Sequence, residues 1–160
     1  MFDFIKIREV PKTSWSSEET FNLKPRLQTL LALVVGLILF GLGEALLVTS
    51  QIGVSPWTAL GQGLANVSEL GLGLTTFLIS VFVLFLWIPL KQKPGIGTIL
   101  NAIIISLVLH YAIPFLPIFE ENFLRLIQAI LGVFITGIGG GIYLIANLGP
   151  GARDGLMTGL

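Results

Sequence analysis

The chain has 160 residues with equal numbers of acidic and basic side chains, 54% hydrophobic residues and only 11% charged ones, and its mean hydropathy is +0.91. Soluble domains carry about a quarter charged residues, so this composition predicts an integral membrane protein in contact with the lipid bilayer. The zero net charge argues against nucleic acid as a partner, the absence of cysteine excludes disulfides and thiolate chemistry, and a single histidine argues against a metal site.

Residues 1–26 form a polar N-terminal arm. The arm lacks the apolar core and small-residue cleavage site of a secretory signal. Its first residues, MFDFIKI, alternate apolar and charged side chains, which is compatible with a segment on the membrane surface or a short strand. The alternative is a partly ordered tail, as is common at chain termini.

Four segments are apolar and long enough to cross a membrane, which takes roughly 20 residues. The second of them ends near Trp87, a residue type typical of the headgroup region, and Pro114 and Pro117 are expected to kink or end the third. The predicted spans are residues 27–49, 70–90, 96–119 and 123–147.

Most basic residues lie in every second connection between these spans, which places them on one side of the membrane. Five lie in the arm, two in the turn around Lys91 and Lys93, and one is Arg153, whereas the other two connections contain only Arg125. The positive-inside rule therefore predicts a cytoplasmic N-terminus.

Two parts of the sequence, 96 residues apart, are similar to each other. Five glycines of the first part fall on glycines of the second without a gap, and apolar residues such as Leu60 and Leu64 fall on Leu156 and Leu160. The matching glycines are Gly36, Gly41, Gly43, Gly53 and Gly63 with Gly132, Gly137, Gly139, Gly149 and Gly159.

The predicted fold is therefore an all-α integral membrane protein with an inverted repeat. The first copy, residues 27–122, contains three spans, and because three is odd the second copy, residues 123–160, enters the membrane from the opposite side. The second copy ends after its opening segment, so we expect either a truncated chain or completion by association with another copy or another membrane protein.

Three segments carry a resemblance to a known family. GLGEALLVTSQIGVSPWTALGQGL, GIGTILNAIIIS and GIGGGIYLIANLGPGARDGLMTGL resemble the YczE/YitT-type bacterial integral membrane proteins, over about residues 27–160. The resemblance implies a multi-pass protein of the bacterial inner membrane but no activity, and it implies a longer second repeat than this chain has. Thr58 stands where the family usually has an aspartate, whereas Asp154 keeps the acid of the second copy.

The segment after the first span is predicted to be a helix break. Gly53 is expected to adopt the positive φ that ends a helix, Ser55 is a favoured N-cap, and Pro56 suits the first helical position. The short helix from Pro56 to about Asn66 either lies flat at the interface, anchored by Trp57, or re-enters the membrane and offers its N-terminus to an anion.

The second break begins at Gly149 and carries Arg153 and Asp154. Neighbouring residues on a helix diverge by about 100°, so these two are not expected to face each other simply. Arg153 is either a positive-inside signal or a ligand for an anionic group, and an Arg153→Lys variant separates these roles because lysine keeps the charge but not the bidentate contact.

Two ionisable residues lie within the spans. Glu44 is expected about 9 Å from the membrane midplane, and His110 lies at a similar depth in the third span. A contact between them resembles one step of a proton relay. The alternatives are a carboxyl group that stays protonated or reaches the outer water, and a histidine with ordinary hydrogen bonds.

No Ser/His/Asp constellation, phosphate loop or metal-ligand spacing is apparent, so we expect neither an enzyme nor a cofactor. Paired helix breaks indicate a permease-like protein for a small solute, and the helix N-termini at the breaks favour an anionic one. The competing hypothesis is a membrane partner or regulatory protein that transports nothing.

Overall fold

The computed structural model describes residues 13–159, and within that range the protein is all-helical, with no strand. The all-α class is therefore confirmed, while the expectation for MFDFIKI falls on residues outside the described range. The helices are α1 (Leu27–Ser50), α2 (Pro56–Ser68), α3 (Leu72–Leu86), α4 (Ile96–Ala112), α5 (Asn122–Ile145) and α6 (Ala152–Gly159), and a 3₁₀ turn, Ile113–Phe115, extends α4.

Among the described residues, three segments are long and apolar enough to cross a membrane: Leu27–Ser50, Ile96–Phe115 and Asn122–Ile145. A fourth span results if α2 and α3 are taken together, although the chain bends by 113° between them. The 15 residues of α3 cover only about 22 Å, less than the roughly 30 Å of a hydrocarbon core. The helix is shorter than the predicted 70–90 segment because the chain turns from Trp87 onward, with Lys91 in the left-handed region.

Helices α1 and α5 cross through two pairs of glycines. A Cβ added to Gly139 would lie 2.4 Å from the Phe40 nitrogen and 2.6 Å from the Gly36 carbonyl oxygen. One added to Gly43 would lie 2.7 Å from the carbonyl oxygen of Gly132. The two backbones are thus in direct contact, the type of packing that small residues permit in membranes.

The glycines in these contacts are ones that lie 96 residues apart in the sequence. Gly36 and Gly43 match Gly132 and Gly139 at the 96-residue spacing, yet in space Gly36 meets Gly139 and Gly43 meets Gly132. An exchange of partners of this kind is what a two-fold axis between two equivalent helices produces.

The C-terminal end of α1 and the N-terminal end of α5 are joined by polar side chains. Arg125 Nε donates to the Ser50 carbonyl oxygen at 2.8 Å, and its Nη2 donates to the Gln51 carbonyl oxygen at 2.9 Å. Gln128 Nε2 donates to Thr49 Oγ1 at 2.7 Å. Arg125 thus satisfies carbonyl groups at the negative end of α1, which gives a structural role to a basic residue on the side predicted to be outside.

An Arg125→Ala variant is expected to lose about 1–2 kcal/mol of unfolding free energy, because it leaves two carbonyl groups without their charged donor. The measurement is thermal unfolding of the purified protein in detergent. Arg26→Ala removes an exposed arginine that makes no cap hydrogen bond at the start of α1 and serves as the control. An equal loss in both variants would contradict the capping role.

At the other end of the bundle, the described part of the arm is attached to the end of α5. The Ser17 backbone N–H donates to the Ala146 carbonyl oxygen at 3.0 Å. Asn147 accepts from the Thr20 hydroxyl at 3.0 Å and donates to the Ser17 carbonyl oxygen at 2.9 Å. Trp15 packs against the main apolar core. The arm, the start of α1 and the end of α5 therefore share one end of the protein.

Candidate solute-binding site

The first helix break forms from local capping signals. Ser55 caps α2, its Oγ accepting from the Thr58 backbone N–H at 3.3 Å, and Pro56 occupies the first turn. Both of these local predictions are confirmed. The expectation for Gly53 is wrong: α1 ends at Ser50, its C-cap is Gln51 with a φ of 57°, and Gly53 is not among the described residues of positive φ.

The start of α2 is bonded to the interior of α1. Glu44 is buried, with 4% of its surface exposed, and its Oε2 accepts from Ser55 Oγ at 3.1 Å and from Thr58 Oγ1. Glu44 lies six residues before the end of α1, or about 9 Å along the helix axis. The break therefore turns back toward the level of Glu44 before α2 begins.

The second break requires its glycine. Gly149 has a φ of 114°, a conformation that side chains with a Cβ rarely adopt, and a Cβ there would lie 2.7 Å from Thr98 Oγ1. The start of α4 holds this segment in place: Gly97 N–H donates to the Leu148 carbonyl oxygen and Thr98 Oγ1 to the Pro150 carbonyl oxygen, each at 2.7 Å.

The start of α6 is joined to α5 and α3. The Tyr143 hydroxyl donates to Asp154 Oδ2, and Trp87 Nε1 donates to the Ala152 carbonyl oxygen at 3.1 Å. Arg153 Nε lies 3.2 Å from Asp154 Oδ1, so the expectation that these neighbours do not face each other is wrong. The 100° divergence applies to the Cβ atoms, whereas the long arginine side chain bends back across it.

The two breaks converge on one cavity. Ser55, Trp57 and Thr58 line it from the first break, and Arg153 and Asp154 from the second. The remaining wall comes from the long helices and includes Glu44, Tyr143, Thr76, Asn101 and Ser106. The volume of the cavity is about 40 Å³, which is enough for a few groups of the size of a water molecule.

Two hydroxyl groups in this wall have no hydrogen-bond partner. Thr76 and Ser106 are 5% and 6% exposed, and both Oγ1 of Thr76 and Oγ of Ser106 are buried without a partner. A buried polar atom without a partner costs about 1–3 kcal/mol. Such atoms beside a cavity therefore favour a polar guest.

Not every candidate residue lines the cavity. Gly53 and Pro56 are exposed at its edge and do not contribute to the wall, and Gly149 lines a separate surface groove beside the arm. His110 is also exposed, stacks edge-on against Tyr111 at 4.9 Å, and belongs to another groove between α3 and α4. The structure therefore does not bring Glu44 and His110 together.

Sequence reasoning missed Tyr143, Thr76 and Ser106, and it treated Thr58 only as a departure from a family pattern. A signal for Tyr143 was present, because at the repeat spacing it matches Leu47, one helical turn after Glu44 on the same face of α1. Thr76 and Ser106 gave none, since hydroxyl groups are common inside membrane helices.

These features define a class: a multi-pass helical membrane protein in which two interrupted helices meet at a buried polar cavity. Residues 27–160 match the sequence profile described as a family of unknown function, DUF6198. The chain belongs to this family.

Three curated proteins are similar in sequence to the chain. The chain is 38% identical over 155 residues to an uncharacterised protein of Haemophilus influenzae, covering 97% of this chain and 70% of the relative. It is 32% identical over 124 residues to the uncharacterised membrane protein YczE of Bacillus subtilis, covering 76% and 58%, which confirms the resemblance. A third relative, the uncharacterised protein YyaS of B. subtilis, is 30% identical over 107 residues, 67% of this chain and 52% of the relative. No solved structure matches the chain.

Proposed function

We propose that this protein is permease-like and carries a small polar solute through the cavity between its two helix breaks. The convergence of both breaks on one cavity, with two buried unpartnered hydroxyl groups in its wall, carries the proposal. Interrupted helices that meet between inverted repeats are typical of secondary transporters.

Two further observations support this proposal. The exchanged glycine contacts between α1 and α5 agree with an inverted repeat, and the basic residues of the arm, the Lys91 turn and Arg153 favour a cytoplasmic N-terminus in the inner membrane. The bonds from Ser55 and Thr58 to Glu44 favour a re-entrant α2 over one that lies flat at the interface.

The site is proposed to bind rather than to catalyse. Its carboxylates accept hydrogen bonds from Ser55, Thr58 and Tyr143, and the single histidine lies in another groove. A nucleophile activated by a histidine is therefore not part of the proposed mechanism.

A permease must open its site to each side of the membrane in turn, and the absence of native cysteine makes this measurable. An Asn101→Cys variant places one thiol in the cavity wall. We expect a membrane-impermeant thiol reagent to label it both in right-side-out and in inside-out vesicles.

Two matched variants bracket this experiment. Ile52→Cys, in the exposed connection before α2, is expected to react from one side only, and Val133→Cys, on the exposed apolar face of α5, is expected not to react. Labelling of Asn101→Cys from a single side would refute alternating access.

One observation favours the competing hypothesis of a regulatory membrane partner. The described arm residues Ser17 and Thr20 bond to Ala146 and Asn147, directly before the second break. Under this hypothesis, a protein that binds the arm acts through these bonds on the end of α5, which leads into the second break. That hypothesis predicts one-sided labelling of Asn101→Cys that changes when residues 1–24 are deleted.

A further inference from the structure

The charges of the cavity are not balanced. Glu44 and Asp154 supply two carboxylates, and Arg153 supplies one guanidinium, a formal charge of one negative unit when all three are ionised. Arg153 is already paired with Asp154, and their side chains are 40% and 29% exposed. Water therefore screens this pair more than it screens Glu44.

Glu44 is the buried carboxyl group of the site. It is 4% exposed, and the partners recorded for its carboxylate are two hydroxyl groups, with no ion pair to a basic side chain in the described part of the chain. A buried carboxylate without a cation is costly, and a positively charged guest beside it removes part of that cost.

The unpartnered hydroxyl groups are an independent sign of a guest. Thr76 and Ser106 line the same cavity as Glu44 and present oxygen atoms that have no protein partner. A hydroxyl oxygen accepts from an ammonium N–H and also coordinates hard cations.

The size and ligand types restrict this guest. The cavity volume of about 40 Å³ holds a single ion or a group of a few heavy atoms. Among residues 13–159, no group of three or more His, Asp or Glu side chains is placed to hold a metal, which disfavours multivalent transition metals.

We propose that the cavity binds a small monovalent cation, an alkali ion or a primary ammonium group, between Glu44 and Asp154. The cation is the guest of the same cavity, so this proposal rests on the proposed function. It also replaces the anionic solute suggested by the two helix N-termini, because the carboxylates from α1 and α6 occupy the space in front of them.

The same geometry explains the threonine at position 58. Thr58 matches Asp154 at the repeat spacing, and each is the third residue of its short helix. In the first copy the acid lies on the long helix, as Glu44, and the hydroxyl on the short one. In the second copy the acid is Asp154 and the hydroxyl is that of Tyr143 on the long helix. Each break therefore still contributes one carboxylate.

The experiment is thermal unfolding of the full chain in detergent with sodium, potassium, ammonium or methylammonium chloride, each replaced by N-methylglucamine chloride at constant ionic strength. We expect a saturable rise in Tm with at least one of these cations. At a hundredfold excess over Kd the rise is about 5–10 °C for a protein of this size. The series separates alkali ions from ammonium groups.

The variants test the site itself. Glu44→Gln is expected to abolish the rise, and Glu44→Gln combined with Thr58→Asp is expected to restore it, because an acid in the first turn of α2 is compatible with the helix dipole. Glu120→Gln removes an exposed acid and is expected to leave the rise unchanged. If Glu44→Gln does not fold, Ser106→Ala tests the cation site in its place. This variant is expected to raise the apparent Kd for the cation about tenfold.

The proposal is overturned if no cation raises Tm above the N-methylglucamine reference, if the rise persists in Glu44→Gln, or if Ser106→Ala leaves the apparent Kd unchanged. A rise that follows the anion when chloride is replaced by gluconate or sulfate also overturns it. Labelling of Asn101→Cys needs no cation, so two-sided labelling without a cation effect would refute the cation and leave the permease.

Discussion

A Gly139→Leu variant is expected to lose about 3 kcal/mol of unfolding free energy, the upper end of the usual overpacking cost, and roughly 6–12 °C in Tm. The reason is that a Cβ at Gly139 meets backbone atoms of Phe40 and Gly36 at 2.4 and 2.6 Å. Backbone atoms cannot rotate away as a side chain does, so α1 and α5 must separate. Thermal unfolding in detergent measures the loss.

The same helix provides the control. A Cβ added to Gly137 or Gly141 meets nothing within 4 Å, so Gly137→Leu and Gly141→Leu add the same side chain without contact to α1. Leucine is a better helix former than glycine by up to about 1 kcal/mol. We therefore expect these variants to be neutral or slightly stabilised. Losses as large as that of Gly139→Leu would show that the glycine contacts do not hold the helices together.

A Trp87→Ala variant is expected to cost about 3–5 kcal/mol, the usual range for removing a buried tryptophan. Trp87 is 1% exposed, and a Cβ on Gly155 would overlap its ring. Its indole N–H also donates to the Ala152 carbonyl oxygen. The substitution removes the main contact between α3 and α6, so the loss of stability should be accompanied by loss of any ligand effect on Tm.

Two further variants separate the ring from its hydrogen bond. Trp87→Phe keeps most of the packing and is expected to cost about 1–2 kcal/mol. Phe85→Ala removes a large ring that is 62% exposed on the same helix and is expected to cost less than about 1 kcal/mol. If Phe85→Ala were as damaging as Trp87→Ala, burial against α6 would not explain the role of Trp87.

The features predicted well are those with local causes. Runs of apolar residues predicted α1 and α5 to within two residues and the first residue of α4, because hydropathy acts on each segment separately. The third span was predicted to residue 119, whereas α4 ends at Ala112 and its 3₁₀ extension at Phe115. Ser55 and Pro56 predicted the start of α2 for the same reason. Gly53 did not end α1, because glycine permits the left-handed conformation without requiring it, and Gln51 adopts it two residues earlier.

The features missed depend on contacts between distant segments. The repeat predicted two breaks, but the side chains that complete the cavity wall, Thr76 on α3 and Ser106 on α4, follow from how the helices pack. Trp87 was expected in the headgroup region because of its residue type, whereas it is buried under Gly155, a residue 68 positions later. Residue type alone does not distinguish contact with lipid from contact with a glycine in the fold.

The glycine crossing also fixes the position of both carboxylates of the cavity. Glu44 belongs to the 24-residue α1, which is held to α5 by backbone contacts on either side of Phe40. Asp154 accepts from the Tyr143 hydroxyl, and Tyr143 belongs to α5. The two long helices are therefore the common frame of both carboxylates, and the permease proposal expects alternating access to come from movement of the other helices against this frame.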